Sequence, residues 1–160
     1  MKEEKKSKLH ASDKIYGLIT ALPIIAYLES KDEGSLVAII IIFVTLVTIW
    51  LAEAYSGYYE KAFKKKDTLT KEATIKIVKD EYAVVVSSNL ILVPFVLELL
   101  GIISLTFAYN LAQFVGLTLL FVVGYGLGKH IGRSFSHRIL FGLSSAALGL
   151  IIVLVKELVK

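Results

Sequence analysis

The chain contains no cysteine, one methionine and two prolines in 160 residues. The missing cysteine excludes disulfides, thiolate metal ligation and thiol nucleophiles together. With Met1 the single methionine, no thioether ligand exists within an apolar segment. Charged residues are also scarce, at 20% against 56% for the apolar set, and the mean hydropathy is +0.70. A soluble domain of this size buries about two-thirds of its unfolded surface, and the remainder needs polar side chains that this composition does not contain. The three histidines, His10, His130 and His137, fall in polar segments with no zinc-site spacing. There is no Gly-x-Ser-x-Gly elbow and no His-Glu-x-x-His. The sequence therefore predicts no enzyme.

What is there is a series of apolar runs of roughly 20 residues separated by short basic segments, the pattern of a polytopic membrane protein. Residues 1–14 form a lysine-rich tail, and 15–160 read as one transmembrane domain. The first apolar segment, Ile15–Leu28, has 14 residues, about 21 Å of helix against a hydrocarbon core of about 30 Å. Leu36–Tyr59 follows, then a polar segment 60–81 with a short interfacial helix expected after Thr70. Further spans are expected at Tyr82–Ile103, Tyr109–Gly128 and Ile139–Val155. The predicted fold is all-α with five transmembrane helices, since the even set of alternating strands that a barrel requires is missing.

Of the 18 basic residues, 15 flank one side: the tail, segment 60–81 and segment 129–138. By the positive-inside rule the N-terminus is cytoplasmic and, with five spans, the C-terminus outside, in a multi-pass protein of the inner (cytoplasmic) cell membrane. The same bias accounts for the net charge of +4 without nucleic acid as a partner. The lipid bilayer is the partner it implies.

A charge inside a span is costly enough to mark a functional candidate. Glu53 falls about 8 Å to the cytoplasmic side of the centre of the second span, and Glu98 about 8 Å to the exterior side of the third. The two carboxylates are thus separated in depth by roughly 16 Å, too far for one metal ion. Asn89 lies at nearly the depth of Glu53. Trp50, Glu53, Ser56, Gly57 and Glu60 share a helical stripe. Pro94 and Pro23 are each expected to free a backbone carbonyl, those of Leu90 and Ile19. Two readings stand side by side. In one, Glu53 and Asn89 form an oxygen-rich station for a divalent cation or a proton, with Glu98 a second station beyond Pro94. In the other, the same acids hydrogen-bond neighbouring helices in a non-transporting scaffold or accessory subunit.

Glycines at 124, 126, 128 and 132, and the small residues Gly142, Ser145, Ala146 and Gly149, offer close-packing faces on the last two helices. These faces are expected to meet one another or a second copy of the chain, and a homodimer is predicted. The tyrosines, Tyr109 included, sit near span ends as an aromatic belt would place them.

The stretches KIYGLITAL, VTIWLAEAYSGYY, KDEYAVVVSSN and FGLSSAALGLIIVLVKELV resemble a family of small, largely uncharacterised bacterial five-helix membrane proteins, which carries no activity across. The stretches DKIYGLITAL, LAEAYSGYYEKAF and GRSFSHRILFGLSSAALG resemble the vacuolar iron transporter family. That resemblance implies a five-helix homodimer in which Glu53, near Tyr55, matches the helix-two glutamate of the metal path and Asp13 the helix-one acid. The chain departs from that family in having no intramembrane methionine and no glutamate-rich cytoplasmic helices.

The cysteine-free background makes the topology directly measurable. Single cysteines at positions 10, 32, 70, 106, 134 and 159 are expected to label with 10, 70 and 134 on the cytoplasmic side and 32, 106 and 159 on the other. Labelling of 10 and 159 from one side would end the odd-span topology.

Overall fold

The computed structural model describes the backbone of residues 2–65, 70–72, 74, 75, 77, 78 and 89–158, and side chains within 16–63, 70–78 and 89–155 of that set. It is all-α. Five helices occur among the described residues: α1 (Lys2–Ser30), α2 (Ser35–Lys65), α3 (Val93–Leu99), α4 (Leu105–His130) and α5 (Phe135–Leu158), with a 3-10 turn at Asn89–Leu92 leading into α3. Three segments are long and apolar enough to cross a bilayer: Ser35–Phe63, Leu105–His130 and Phe135–Val155. Two apolar helices are shorter, Tyr16–Ser30 and Asn89–Leu99. The protein is thus a polytopic membrane protein.

The first of these short helices is about 22 Å of apolar length at 1.5 Å per residue, as its sequence foretold. In the expected third span, Tyr82–Ile103, residues 82–88 lie outside the described set, and the described part departs from a uniform helix. Pro94 does not interrupt an α-helix. It stands in the first turn of α3, where a missing N–H costs nothing, after a 3-10 turn. The last two helices begin four residues earlier than their apolar runs, at Leu105 and Phe135. Ser104 caps α4, its side chain accepting from the Phe107 N–H at 3.4 Å. Lys129, His130, His137 and Arg138 extend the helical hairpin beyond its apolar part.

Three helix ends close with one backbone device. After α1, Asp32 N–H donates to Glu29 O and Glu33 N–H to Leu28 O. After α3, Gly101 and Ile102 do the same to Glu98 and Leu97, and after α4, Gly132 and Arg133 to Lys129 and Gly128. Each turn needs a left-handed residue, supplied by Asp32 (φ 53°), Gly101 (φ 72°) and Gly132 (φ 72°). Aspartate is among the few side-chain-bearing residues that visit this region readily.

Helix α4 is the centre of the bundle, packed against α5, α1 and α3. Its contact with α5 is a seam of small residues. A Cβ at Gly124 would collide with the Ser145 side chain and the Phe141 carbonyl, and one at Gly142 would meet the Phe121 ring at 2.8 Å. Leu22 of α1, fully buried, sits where Gly116 of α4 and Gly149 of α5 leave room: a Cβ at Gly116 would lie 2.7 Å from its Cδ2. The expected glycine faces therefore meet each other within one chain. Helix α2 is more peripheral, touching α1 and α3, and turns Leu36, Ile40, Phe43 and Val44 outward, as lipid-facing residues should be.

Because the Phe141 carbonyl is backbone, Gly124→Ala leaves the seam no side-chain escape and is expected to cost about 1–3 kcal/mol. At Gly126 a Cβ meets nothing within 4 Å, so Gly126→Ala is expected to be neutral or to gain up to about 1 kcal/mol from helix propensity. Unfolding of the two variants in mixed micelles compares them directly.

Candidate functional site: polar groups at membrane depth

In lipid a hydroxyl must find its partner within the protein, and most here find it one turn back on their own helix. Thr20, Thr45, Thr48 and Thr118 donate to the carbonyls of Tyr16, Ile41, Val44 and Phe114, each at 2.8 Å. Ser144 and Ser145 both donate to Phe141 O at 3.0 Å, and the Asn110 amide to Thr106 O at 2.9 Å. Such groups are satisfied and offer no site. Among the described residues, Oδ1 of Asn89 and Oγ of Ser35 are buried outside this scheme, and Oε2 of Glu53 is a buried carboxylate oxygen.

Glu53 is half-buried on α2, as are Trp50, Gly57 and Tyr58. Ser56 and Glu60, expected on the same stripe, are exposed; the buried face is turned toward Ala54 and Tyr58 instead. One turn before Glu53, the Trp50 indole donates to the carbonyl of Val78 at 3.2 Å. Helical backbone follows Thr70 as expected, with Thr74 N–H donating to Thr70 O at 3.0 Å. That segment comes back against α2: Ile77 is buried, and its Val78 carbonyl is reached by the indole of Trp50, one turn from Glu53.

Asn89 opens the 3-10 turn, which packs against α2, α3 and α4. Its Oδ1 is buried and has no hydrogen-bond partner among the described residues. Glu98 is half-buried near the end of α3, roughly 15 Å further along the chain axis at 2.0 and 1.5 Å per residue. Glu53 and Asn89 thus belong to adjoining elements and Glu98 stands apart, beside the Gly101 turn. Asp13 lies on the α1 backbone, its side chain outside the described set. Among the described residues, no group of three or more His, Asp or Glu side chains could hold a metal ion. His137 pairs instead with Ser134, Nδ1 to Oγ, at 2.7 Å.

Tyr109 is not a belt residue. It is 1% exposed, lies edge-on to Phe95 with centroids 5.0 Å apart, and its hydroxyl donates to Glu33 O at 2.8 Å. One turn on, the Gln113 amide donates to Glu29 Oε2 at 2.6 Å. Two side chains of α4 therefore latch the acidic turn between α1 and α2, and Ser35, 2% exposed, starts α2 just beyond it. The signal was the pairing of a tyrosine and a glutamine at i, i+4 near a helix start with an acidic turn elsewhere in the chain. Tyr16, Tyr27, Tyr55 and Tyr59 are exposed, as belt residues should be.

No protein-family description, curated protein or solved structure matches the chain.

An amide oxygen with no partner contributes nothing that a hydrophobic side chain would forfeit. Asn89→Leu is therefore expected to leave unfolding stability within about 1 kcal/mol of wild type or to raise it. Tyr109→Phe, which strips a used hydroxyl from Glu33 O, is expected to lower it by about 0.5–1.5 kcal/mol. Chemical unfolding in micelles measures both; a larger loss for Asn89→Leu would mark Asn89 as structural.

Proposed function

We propose that this membrane protein binds a small hard cation or a proton at Glu53 and Asn89, and that it is transporter-like, with Glu98 a second station. The observation that carries this reading is the buried Oδ1 of Asn89, without a hydrogen-bond partner among the described residues, on a turn packed against the helix that holds the buried Oε2 of Glu53. A buried acceptor oxygen is stabilised by positive charge or a proton brought beside it. One carboxylate and one amide oxygen suit an ion that retains water, a divalent cation included, better than a soft transition metal. The resemblance to the vacuolar iron transporters enters this reading through its helix-two glutamate and not through iron. No catalysis is invoked.

The finer architecture belongs to the same proposal: five spans including the short α1 and α3, N-terminus in the cytoplasm, the inner membrane as location, and a homodimer. Since the glycine faces of α4 and α5 are used within the chain, the dimer interface falls on other faces. The distance of Glu98 from Asn89 favours the alternative, a scaffold or accessory subunit in which each acid serves only its own helix contact.

Proteoliposome flux of protons, sodium, manganese and iron(II) separates the two. Gradient-driven flux that falls about tenfold or more in Glu53→Gln and in Asn89→Leu, the loss of one charge-assisted contact, supports the cation path. Unchanged flux in both, or none in wild type for any of the four ions, supports the scaffold.

A further inference from the structure

The α4–α5 turn carries a different chemistry. Between Glu98 and Glu157 the chain has no acidic residue, yet Lys129, His130, Arg133, His137 and Arg138 crowd into ten positions. Lys129, Arg133 and His137 are exposed. Among the described residues, Lys129, Arg133 and Arg138 form no ion pair. The turn is built, not slack. Arg138 Nε donates to Arg133 O at 2.7 Å, Arg133 N–H to Gly128 O at 3.2 Å, and Arg138 N–H to Ser134 O at 3.0 Å. A Cβ on Gly128 would stand 3.0 Å from the Arg138 Cα, so the two helix ends are held nearly in contact. The Arg138 guanidinium is tied through Nε, leaving its terminal nitrogens as donors.

Two apolar side chains stand between these cations. Phe135 is 65% exposed and Ile131 40%, at a turn whose flanking helices, with 26 and 24 residues, extend about 39 and 36 Å against a core of about 30 Å. The turn therefore lies at headgroup level. Cations at that level with apolar side chains between them match an anionic phospholipid, whose phosphate takes the charge while its acyl boundary takes the ring. Uncompensated charge alone would fit any anion; the exposed Phe135 and Ile131 select the lipid.

We propose that the α4–α5 turn is a docking site for the phosphate of an anionic phospholipid in the adjacent leaflet, held by Lys129, Arg133 and Arg138 with Phe135 seated in the acyl boundary. The site depends on the chain being in a membrane and not on whether it moves a cation.

The test uses the full chain in phosphatidylcholine vesicles and compares the immobilised fraction of spin-labelled phosphatidylglycerol with that of spin-labelled phosphatidylcholine. Wild type is expected to prefer the anionic lipid, and Lys129→Gln/Arg133→Gln to lose about fivefold or more of that preference, near what one basic residue contributes at such a surface. Lys129→Arg/Arg133→Lys, which keeps the charge, is expected to retain it, and Lys31→Gln at the other end of the bundle to change nothing. Equal preference in wild type and the double glutamine variant would overturn the proposal. So would an equal loss in Lys31→Gln, which marks unlocalised charge, or displacement of the lipid by excess inorganic phosphate, which marks a site for soluble anions.

Discussion

Because lipid tails are as apolar as leucine, the helices of this bundle gain nothing from hiding one another from lipid. What holds them is the close approach that glycine permits along α4. Gly124 and Gly128 admit the backbone of α5, Gly142 admits the Phe121 ring, and Leu22 of α1 fills the space that Gly116 and Gly149 leave. One helix thereby positions three others, and the 3-10 turn that carries Asn89 is placed by the same contact. Enlarging one notch would move the polar groups together with the packing.

The second constraint is the accounting of polar groups in a medium without water. Most of the described threonine hydroxyls, with those of Ser144 and Ser145, bond back along their own helices, which removes them as candidates for chemistry. The bundle then divides by end. At one end, Tyr109 and Gln113 bind the acidic α1–α2 turn to α4, spending those polar groups on structure. At the other, the α4–α5 turn projects basic groups outward while its backbone is held by its own hydrogen bonds. Between the ends, Glu53 and Asn89 keep buried acceptor oxygens on adjoining elements.

Much of the fold was legible in the sequence. The hydrophobic runs announced α2, α4 and α5, the length of Ile15–Leu28 announced a short first apolar helix, and the small residues of the last two helices announced that those faces pack. These are properties of local composition and spacing, which a bilayer converts almost directly into structure because it allows so few alternatives. Glu53 and Glu98 could be found in the same way, since a carboxylate in an apolar run is conspicuous in one dimension.

What only the tertiary structure decided are matters of facing and partnership between distant segments. Whether the glycine faces met each other or a second copy depended on the hairpin, which brought Gly124 onto Phe141 and Ser145. Tyr109 looked like an interfacial anchor until Glu33, 76 residues away, took its hydroxyl. Pro94 looked like a kink until a 3-10 turn placed it in a first helical turn. The rotation of α2 that exposes Ser56 and buries Glu53 came from its neighbours and from the segment that reaches Trp50. Spacing along a helix determines which residues share a face; which way that face turns is set by the shape of the elements packed against it, and that shape is not a local property of the chain.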